Sequence, residues 1–183
     1  YVEVRSLKNI SADLKLTGPE NAALWIHSNV DSTELAVEIN QIDLQQLSRF
    51  AAIPDMQGRV NVALRYVPSD VSYLIAADAN IDNLIFRGQP VGELLLNGVY
   101  LPLDNNRHRF DAHFYHNESE LATVSAFYRQ PQQKQAQGAI DGTMQFDRIP
   151  LSELNPFFGG AVDMQGVLRG RLTLESRDRG PIW

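Results

Sequence analysis

The sequence has no cysteine and no excess of positive charge, and each absence excludes several functions. Without thiols the chain cannot form a disulfide framework, a zinc–thiolate site or a cysteine nucleophile. Its net charge is -6, whereas proteins that bind nucleic acid cluster Lys and Arg against the phosphates. We therefore expect no nucleic-acid partner, and broad electrostatic binding to anionic lipid headgroups is disfavoured for the same reason.

Long apolar runs and long helical patterns are also missing. No stretch approaches the roughly 20 consecutive apolar residues that span a bilayer. Apolar residues occur at helical spacing only in Ile42–Phe50 and Ile149–Phe158, which predict short helical turns. The chain opens at Tyr1 within a strand pattern and closes at Trp183 just after a turn signal. We therefore expect residues 1–183 to be a single section of a longer protein.

The dominant pattern is a strict alternation of apolar and polar residues. It recurs along most of the chain, for example at Leu35, Val37 and Ile39. Alternation of this kind indicates antiparallel strands with one apolar face and one solvated face. The sequence thus predicts an all-β fold, an elongated, curved, one-sided antiparallel sheet with short helical turns. The alternative is a β-sandwich, in which two such sheets face each other.

A repeat lies within this pattern. The segment Ile42–Phe50 is echoed by Ile149–Phe157, with isoleucine, leucine, leucine and phenylalanine at matching positions. After each copy the tetrapeptide Asp-Met-Gln-Gly follows, at Asp55–Gly58 and Asp163–Gly166. Two tracts in the same order indicate repeated units.

The repeat favours an extended architecture. Repeat-like units near residues 42–66 and 149–174 predict a quasi-one-dimensional sheet in which each unit packs on its neighbours.

Candidate chemistry is limited to a group of histidines. His108, His113 and His116 lie near Glu118 and Glu120, which would suit a metal ion. In a strand, however, His113 points away from the face shared by His108 and His116, so we expect solvated strand histidines instead. Phosphate-binding loops and nucleophile elbows are absent from the sequence. We therefore expect no enzyme, no metal and no cofactor.

The repeat and two further passages resemble a known family. The order of Ile-Asp/Pro-Leu-x-x-Leu-x-x-Phe, Asp-Met-Gln-Gly and alternating strands is similar to the C-terminal conserved region of TamB-type proteins. The passages Asn80–Leu94 and Val167–Leu174 resemble the family's strand–turn–strand and Gly-x-Leu patterns. TamB-type proteins belong with the AsmA-like, bridge-like lipid-transfer proteins of Gram-negative envelopes. The resemblance runs from about Ile39 to the end of the chain.

The resemblance implies a U-shaped sheet, or β-taco, around a hydrophobic groove. It implies a periplasmic location in a protein anchored in the inner membrane, with a BamA-family (TamA-like) outer-membrane barrel as partner. It further implies a role in outer-membrane biogenesis and protein secretion, and in phospholipid transport between the two membranes.

The predicted function is therefore a groove that binds phospholipid acyl chains. A chaperone-like groove for nascent outer-membrane protein strands and a dry structural spacer are the alternatives. We predict that the groove is lined by residues on the apolar face of the strands: Leu35, Val37, Ile39, Val60, Val62, Leu64, Tyr73, Ile75, Phe110, Phe114, Ile140, Met144, Leu168 and Leu172.

Overall fold

The fold is seen in a computed structural model that describes residues 2–6, 9–29, 31, 33–51, 55–70, 72–104, 106–131, 138–158 and 161–176. Side chains are described in these ranges except at residues 2–6, 9 and 48–51. Both chain ends, Tyr1 and Trp183, lie outside the described residues, so the expectation that the chain is one section of a longer protein stays a prediction.

The described strands form one sheet of eleven strands in which every strand pairs only with its neighbours in sequence. All pairings are antiparallel. The strands are β1 (Val2–Ser6), β2 (Asn9–Thr17), β3 (Ala23–Ser28), β4 (Leu35–Asp43), β5 (Met56–Pro68), β6 (Tyr73–Phe86), β7 (Gln89–Leu103), β8 (Arg107–His116), β9 (Ser119–Arg129), β10 (Ala139–Pro150) and β11 (Val167–Glu175). The predicted all-β, antiparallel sheet is confirmed, and the sandwich alternative is wrong, because the described strands all belong to this open sheet.

The pairing register places the apolar residues of successive strands on one face. Leu64 in β5 is directly opposite Val37 in β4 and Ala77 in β6. Residues that face each other across strands share a face, so the match extends from strand to strand. We call this surface the apolar face; its larger members are Leu14, Leu16, Leu24, Ile26, Leu35, Val37, Ile39, Val60, Val62, Leu64, Tyr66, Tyr73, Ile75, Ile81, Leu94, Leu96, Tyr100, Phe110, Phe114, Val124, Tyr128, Ile140, Met144, Phe146, Leu168, Leu172 and Leu174.

The opposite face carries hydrogen-bonded polar side chains between adjacent strands. Asn97 Nδ2 donates to Asp78 Oδ1 over 2.7 Å, and Ser125 Oγ donates to Asp111 Oδ1 over 2.8 Å. Arg109 Nε lies 2.6 Å from the other carboxylate oxygen of Asp111. These contacts link β6 to β7 and β8 to β9, on a face that water can reach.

Three strands change register through a bulge that keeps apolar residues on the apolar side. In each case one residue has positive φ, and the next apolar residue comes three positions after the last one instead of two. The register shifts run from Ile39 to Ile42, from Ile81 to Leu84 and from Phe146 to Ile149. The left-handed residues are Gln41 (φ 56), Asn83 (φ 52) and Arg148 (φ 55). An extra residue in a strand shifts the alternation by one, which restores Leu84 and Ile149 to buried positions.

Two short helices lie at one end of the strands. Helix α1 (Leu44–Ala51) follows β4, and a 3-10 helix, η2 (Leu151–Phe158), follows β10. A smaller 3-10 helix, η1 (Pro19–Asn21), links β2 to β3 at this same end. We call this the helical end of the sheet, and we call the opposite end, where β5 ends and β6 begins, the loop end.

The main buried cluster lies at the helical end. Leu44 of α1 packs against Leu84 and Val91, and Leu84 is only 2% exposed. Partly buried residues of the sheet, among them Ile81 and Leu94 of the apolar face, surround this cluster. Within the described part of the chain, no helix has the length and apolarity to cross a membrane.

Candidate functional site: an uncovered apolar face

The fourteen residues predicted to line a groove all lie on the apolar face. They come from six strands: Leu35, Val37 and Ile39 from β4, Val60, Val62 and Leu64 from β5, Tyr73 and Ile75 from β6, Phe110 and Phe114 from β8, Ile140 and Met144 from β10, and Leu168 and Leu172 from β11. The sheet therefore brings them together on one surface, although the pairing by itself does not assign them a ligand.

The apolar face is largely uncovered by the described residues. Leu64 is 37% exposed, Phe110 45% and Leu172 61%. Other members more than a third exposed are Leu16, Phe114, Ile140, Leu168 and Leu174. An isolated exposed leucine is ordinary, but large contiguous apolar patches mark binding surfaces.

The face is long in both directions. At about 3.3 Å per residue, the 14-residue strand β6 spans about 46 Å. Across the strands, a spacing of about 4.8 Å gives the ten strands β2 to β11 an extent of about 43 Å. A surface of this size has room for several long apolar ligands.

The helical end is the part of the face that the chain covers itself. Leu44 of α1 sits on the cluster around Leu84, while the Phe157 ring of η2 lies 5.5 Å from the ring of Phe86. Thus the strands lead from a covered helical end to an open loop end.

The loop end carries a continuous row of amphipathic rings, which we call the aromatic row. It consists of Tyr66, Tyr73, Tyr100, His108 and Tyr128, one from each of the strands β5 to β9. Neighbouring ring centroids are 5.4 to 5.9 Å apart. Of its members, only Tyr73 was among the predicted groove residues. For the other four members, the sequence signal is a tyrosine or histidine at the position where the apolar alternation of each strand reaches the loop end.

Hydrogen bonds connect the middle of the aromatic row. The Tyr100 hydroxyl lies 2.7 Å from His108 Nδ1 and 3.5 Å from the Tyr73 hydroxyl. Desolvation, followed by the contact with Tyr73, raises the pKa of Tyr100 to about 12. At physiological pH Tyr100 is a neutral phenol, which can both donate and accept a hydrogen bond.

His113 lies on the face opposite to His108 and His116, as predicted. The prediction that all three are solvated is wrong for His116. His113 faces Asn97 on the polar face, and His116 faces Leu94 on the apolar face. His116 is 6% exposed, its Nε2 lies 2.6 Å from the carbonyl oxygen of Val91, and its Nδ1 contacts the carboxylate of Glu153. The side chain is buried because η2 folds over it.

The histidines have separate partners instead of a shared site. His108 contacts Tyr100, His113 Nδ1 lies 2.6 Å from Glu120 Oε1, and His116 contacts Glu153. Among the described residues, no group of three potential ligands is placed to hold a metal ion.

A shallow depression on the polar face has different chemistry. It has a volume of about 660 Å³ over β8 to β11. Its charged groups have partners: Arg109 pairs with Asp111, and Arg171 donates to Gln145 Oε1 over 3.3 Å. The depression is therefore a solvated, internally paired surface, separate from the apolar face.

No protein-family model, curated protein or solved structure matches this chain. The uncovered apolar face is the structural feature from which a function can be inferred.

Proposed function

We propose that this chain is a hydrophobic β-groove segment that conducts phospholipid between the inner and outer membranes, within a periplasm-spanning protein of outer-membrane biogenesis. The observation that carries the proposal is the apolar face, which continues across the ten strands β2 to β11 while residues such as Leu64 and Phe110 stay more than a third exposed. Binding of a ligand or partner that covers the apolar face would be stabilised by the free energy of burying this surface.

Acyl chains match the chemistry of this face. Burial of each CH₂ group contributes about 0.8 kcal/mol and needs no directional contact. The face offers leucine, valine, isoleucine and phenylalanine side chains from successive strands, so a chain can move from strand to strand without losing contacts. Transport of this kind needs no catalytic residue and no cofactor.

The exposure of the large rings speaks against a dry spacer. A spacer would fill its own groove, and its phenylalanines would be packed against facing side chains. Phe110 and Phe114 are instead 45% and 37% exposed. They are thus available to a ligand.

A second function is favoured by the free edge of the sheet. Every residue of β11 is exposed, and among the described residues β11 pairs with β10 alone. An unpaired edge can accept another strand through backbone hydrogen bonds. The alternative is therefore a chaperone-like groove for outer-membrane protein strands, acting with a BamA-family barrel.

Lipid extraction from vesicles tests the proposal. The purified chain is mixed with vesicles of phosphatidylethanolamine and phosphatidylglycerol that contain a fluorescent phospholipid, and lipid bound to protein is measured after the vesicles are removed. In Leu64→Asp and Ile75→Asp, we expect extraction to fall about tenfold or more, because a carboxylate against acyl chains is poorly solvated.

The matched control is Arg65→Asp, which places the same group one residue away on the polar face. Circular dichroism and thermal unfolding must show that all variants remain folded. Equal loss of extraction in folded variants of both faces would contradict a lipid site on the apolar face.

A further inference from the structure

We propose that phospholipid binds in this groove with a fixed polarity: the headgroup lies at the loop end beside the aromatic row, and the acyl chains run along the strands toward the helical end. This inference rests on the proposed function and adds the orientation of the ligand and the residues that set it.

The aromatic row marks a polar border of the apolar face. Its five rings span the strands β5 to β9, about 19 Å at the spacing of a sheet. Tyrosine rings present an apolar body and a polar tip, which suits the boundary between acyl chains and headgroups. The three members Phe110, Ile75 and Leu64 continue the apolar face behind this border.

The row has hydrogen-bonding capacity for a headgroup. A phenol offers one donor and two acceptor sites, and the contacts of Tyr100 with Tyr73 and His108 use only part of it. A phenol is protonated at physiological pH, so in the His108 tautomer whose Nδ1 donates to Tyr100, the Tyr100 hydroxyl can donate to a phosphate oxygen.

The helical end cannot accept the headgroup in the same way. Leu84 and Val91 are buried there beneath α1. Glu153 of η2 contacts His116 there, and Glu118 lies in the turn between β8 and β9 at this end. The covered apolar side chains leave less open surface for a headgroup at the helical end.

Arginines lie at both ends of the sheet: at the helical end Arg59 pairs with Glu20 and Arg87 lies over the Phe86 ring, and two more lie at the loop end. Arg107 begins β8 next to His108, and Arg129 ends β9 next to Tyr128. The two arginines are direct cross-strand partners, an arrangement that is unfavourable for like charges. Among the described residues, neither has a carboxylate within ion-pair distance, and Arg107 lies 5.3 Å from the Phe127 ring centroid. Both arginines project on the polar face, so they add positive charge to the loop end without lining the aromatic row.

Two photoreactive phospholipids distinguish the ends of the bound ligand. Both are phosphatidylethanolamines; one carries a diazirine on the headgroup and the other carries it at the end of an acyl chain. Each is loaded into the chain from vesicles, illuminated, and mapped by peptide mass spectrometry. We expect the headgroup probe to label the loop end near Tyr73 and Tyr100, and the acyl probe to label the helical end near Val60 and Leu94.

Substitutions identify the residues that hold the headgroup. In the double variant Tyr73→Phe, Tyr100→Phe the rings remain but the hydroxyls are lost, so total bound lipid should stay within about twofold. Labelling by the headgroup probe at the loop end should fall about threefold or more, the effect of one or two lost hydrogen bonds. The control Tyr115→Phe removes a hydroxyl from β8 on the polar face, and it should leave labelling unchanged.

The outcomes separate this inference from the proposed function. The same labelling pattern from both probes, or labelling by the headgroup probe at the helical end, would overturn the polarity while leaving lipid binding intact. Labelling by neither probe, in folded protein, would overturn the proposed function as well.

Discussion

At the scale of single residues, backbone geometry explains the glycine that ends both copies of the repeated tetrapeptide. Gly58 and Gly166 each end an Asp-Met-Gln-Gly sequence, and they have φ of 142° and 108°. L-residues with a side chain rarely adopt these values. The glycine of the tetrapeptide is thus required by the backbone at the point where a strand begins again after a helix.

Gly58→Ala should destabilise the chain. A Cβ at Gly58 would lie 2.9 Å from the carbonyl oxygen of Asp82, and the φ value is unfavourable for alanine. We expect the free energy of unfolding, measured by urea denaturation, to fall by roughly 1–3 kcal/mol.

Gly170→Ala is the matched control, because a Cβ there meets nothing within 4 Å and alanine is less flexible in the unfolded chain. Its stability should be unchanged or slightly higher. If both alanine variants lost the same stability, strain at Gly58 would not be the cause.

The pKa of Tyr100 predicts a loss of stability at high pH. Its folded-state pKa is about 12, above the ordinary value of 10.0. The folded state therefore favours the neutral phenol, and this stabilisation is complete below pH 10 and is lost as the pH rises from 10 to 12. In Tyr100→Phe, the decrease in unfolding free energy over this interval should be smaller than in the unsubstituted chain. An identical pH dependence of the unfolding free energy in both proteins would contradict the assignment of this stability loss to Tyr100.

Some residue-scale features were beyond the reach of the sequence. The alternation placed Leu64 and Phe110 on one face, because side chains alternate in any strand. It could not show that His116 is buried, because that depends on η2, which comes from a segment more than thirty residues later in the chain.

At the scale of elements, a four-residue pattern accompanies the three bulges at Gln41, Asn83 and Arg148. The pattern is an apolar residue, Asn or Asp, any residue, and a second apolar residue. It occurs as Ile39–Ile42, Ile81–Leu84 and Phe146–Ile149, and each copy has a register shift. The sequence repeat begins at Ile42 and Ile149, the last residues of the first and third copies, so it did not include the pattern itself. The second copy is not followed by the repeat, because β6 continues into a hairpin turn instead of a helix.

The contact between Glu153 and His116 should hold η2 against the sheet. Removing the carboxylate leaves a buried imidazole without one of its partners, which costs about 1–3 kcal/mol. In Glu153→Ala, we therefore expect faster amide hydrogen exchange in η2, together with little change in strands far from it, such as β2. The control is Ser152→Ala, a substitution at the neighbouring exposed position. Equal exchange in the two variants would show that other contacts, such as Phe157 with Phe86, dominate the docking of η2.

At the scale of the whole molecule, the strand order follows the chain from β1 to β11. Short turn signals between alternating segments favour such an order, because hairpins join neighbours. The division into units near residues 42–66 and 149–174 stays a prediction, since residues 52–54 and 159–160 within them lie outside the described part.

The uncovered face itself did not follow from the pattern of residues. A sandwich and an open sheet have the same alternation, since in both the strands have one apolar side. What separates them is whether a second sheet covers that side, which is a property of the assembled fold. In the described part of the chain, no second sheet covers the apolar face. Leu64 and Phe110 on that face are exposed, and the described helices lie at only one end of the sheet.

The most direct test of the central claim is to purify the chain without detergent, together with a phospholipid extract, and record its native mass spectrum. We expect bound phospholipid on the unsubstituted chain and on Arg65→Asp, and much less on Leu64→Asp, with all three folded. A folded chain that carries no phospholipid, or Leu64→Asp that carries as much as Arg65→Asp, would contradict a lipid-binding apolar face.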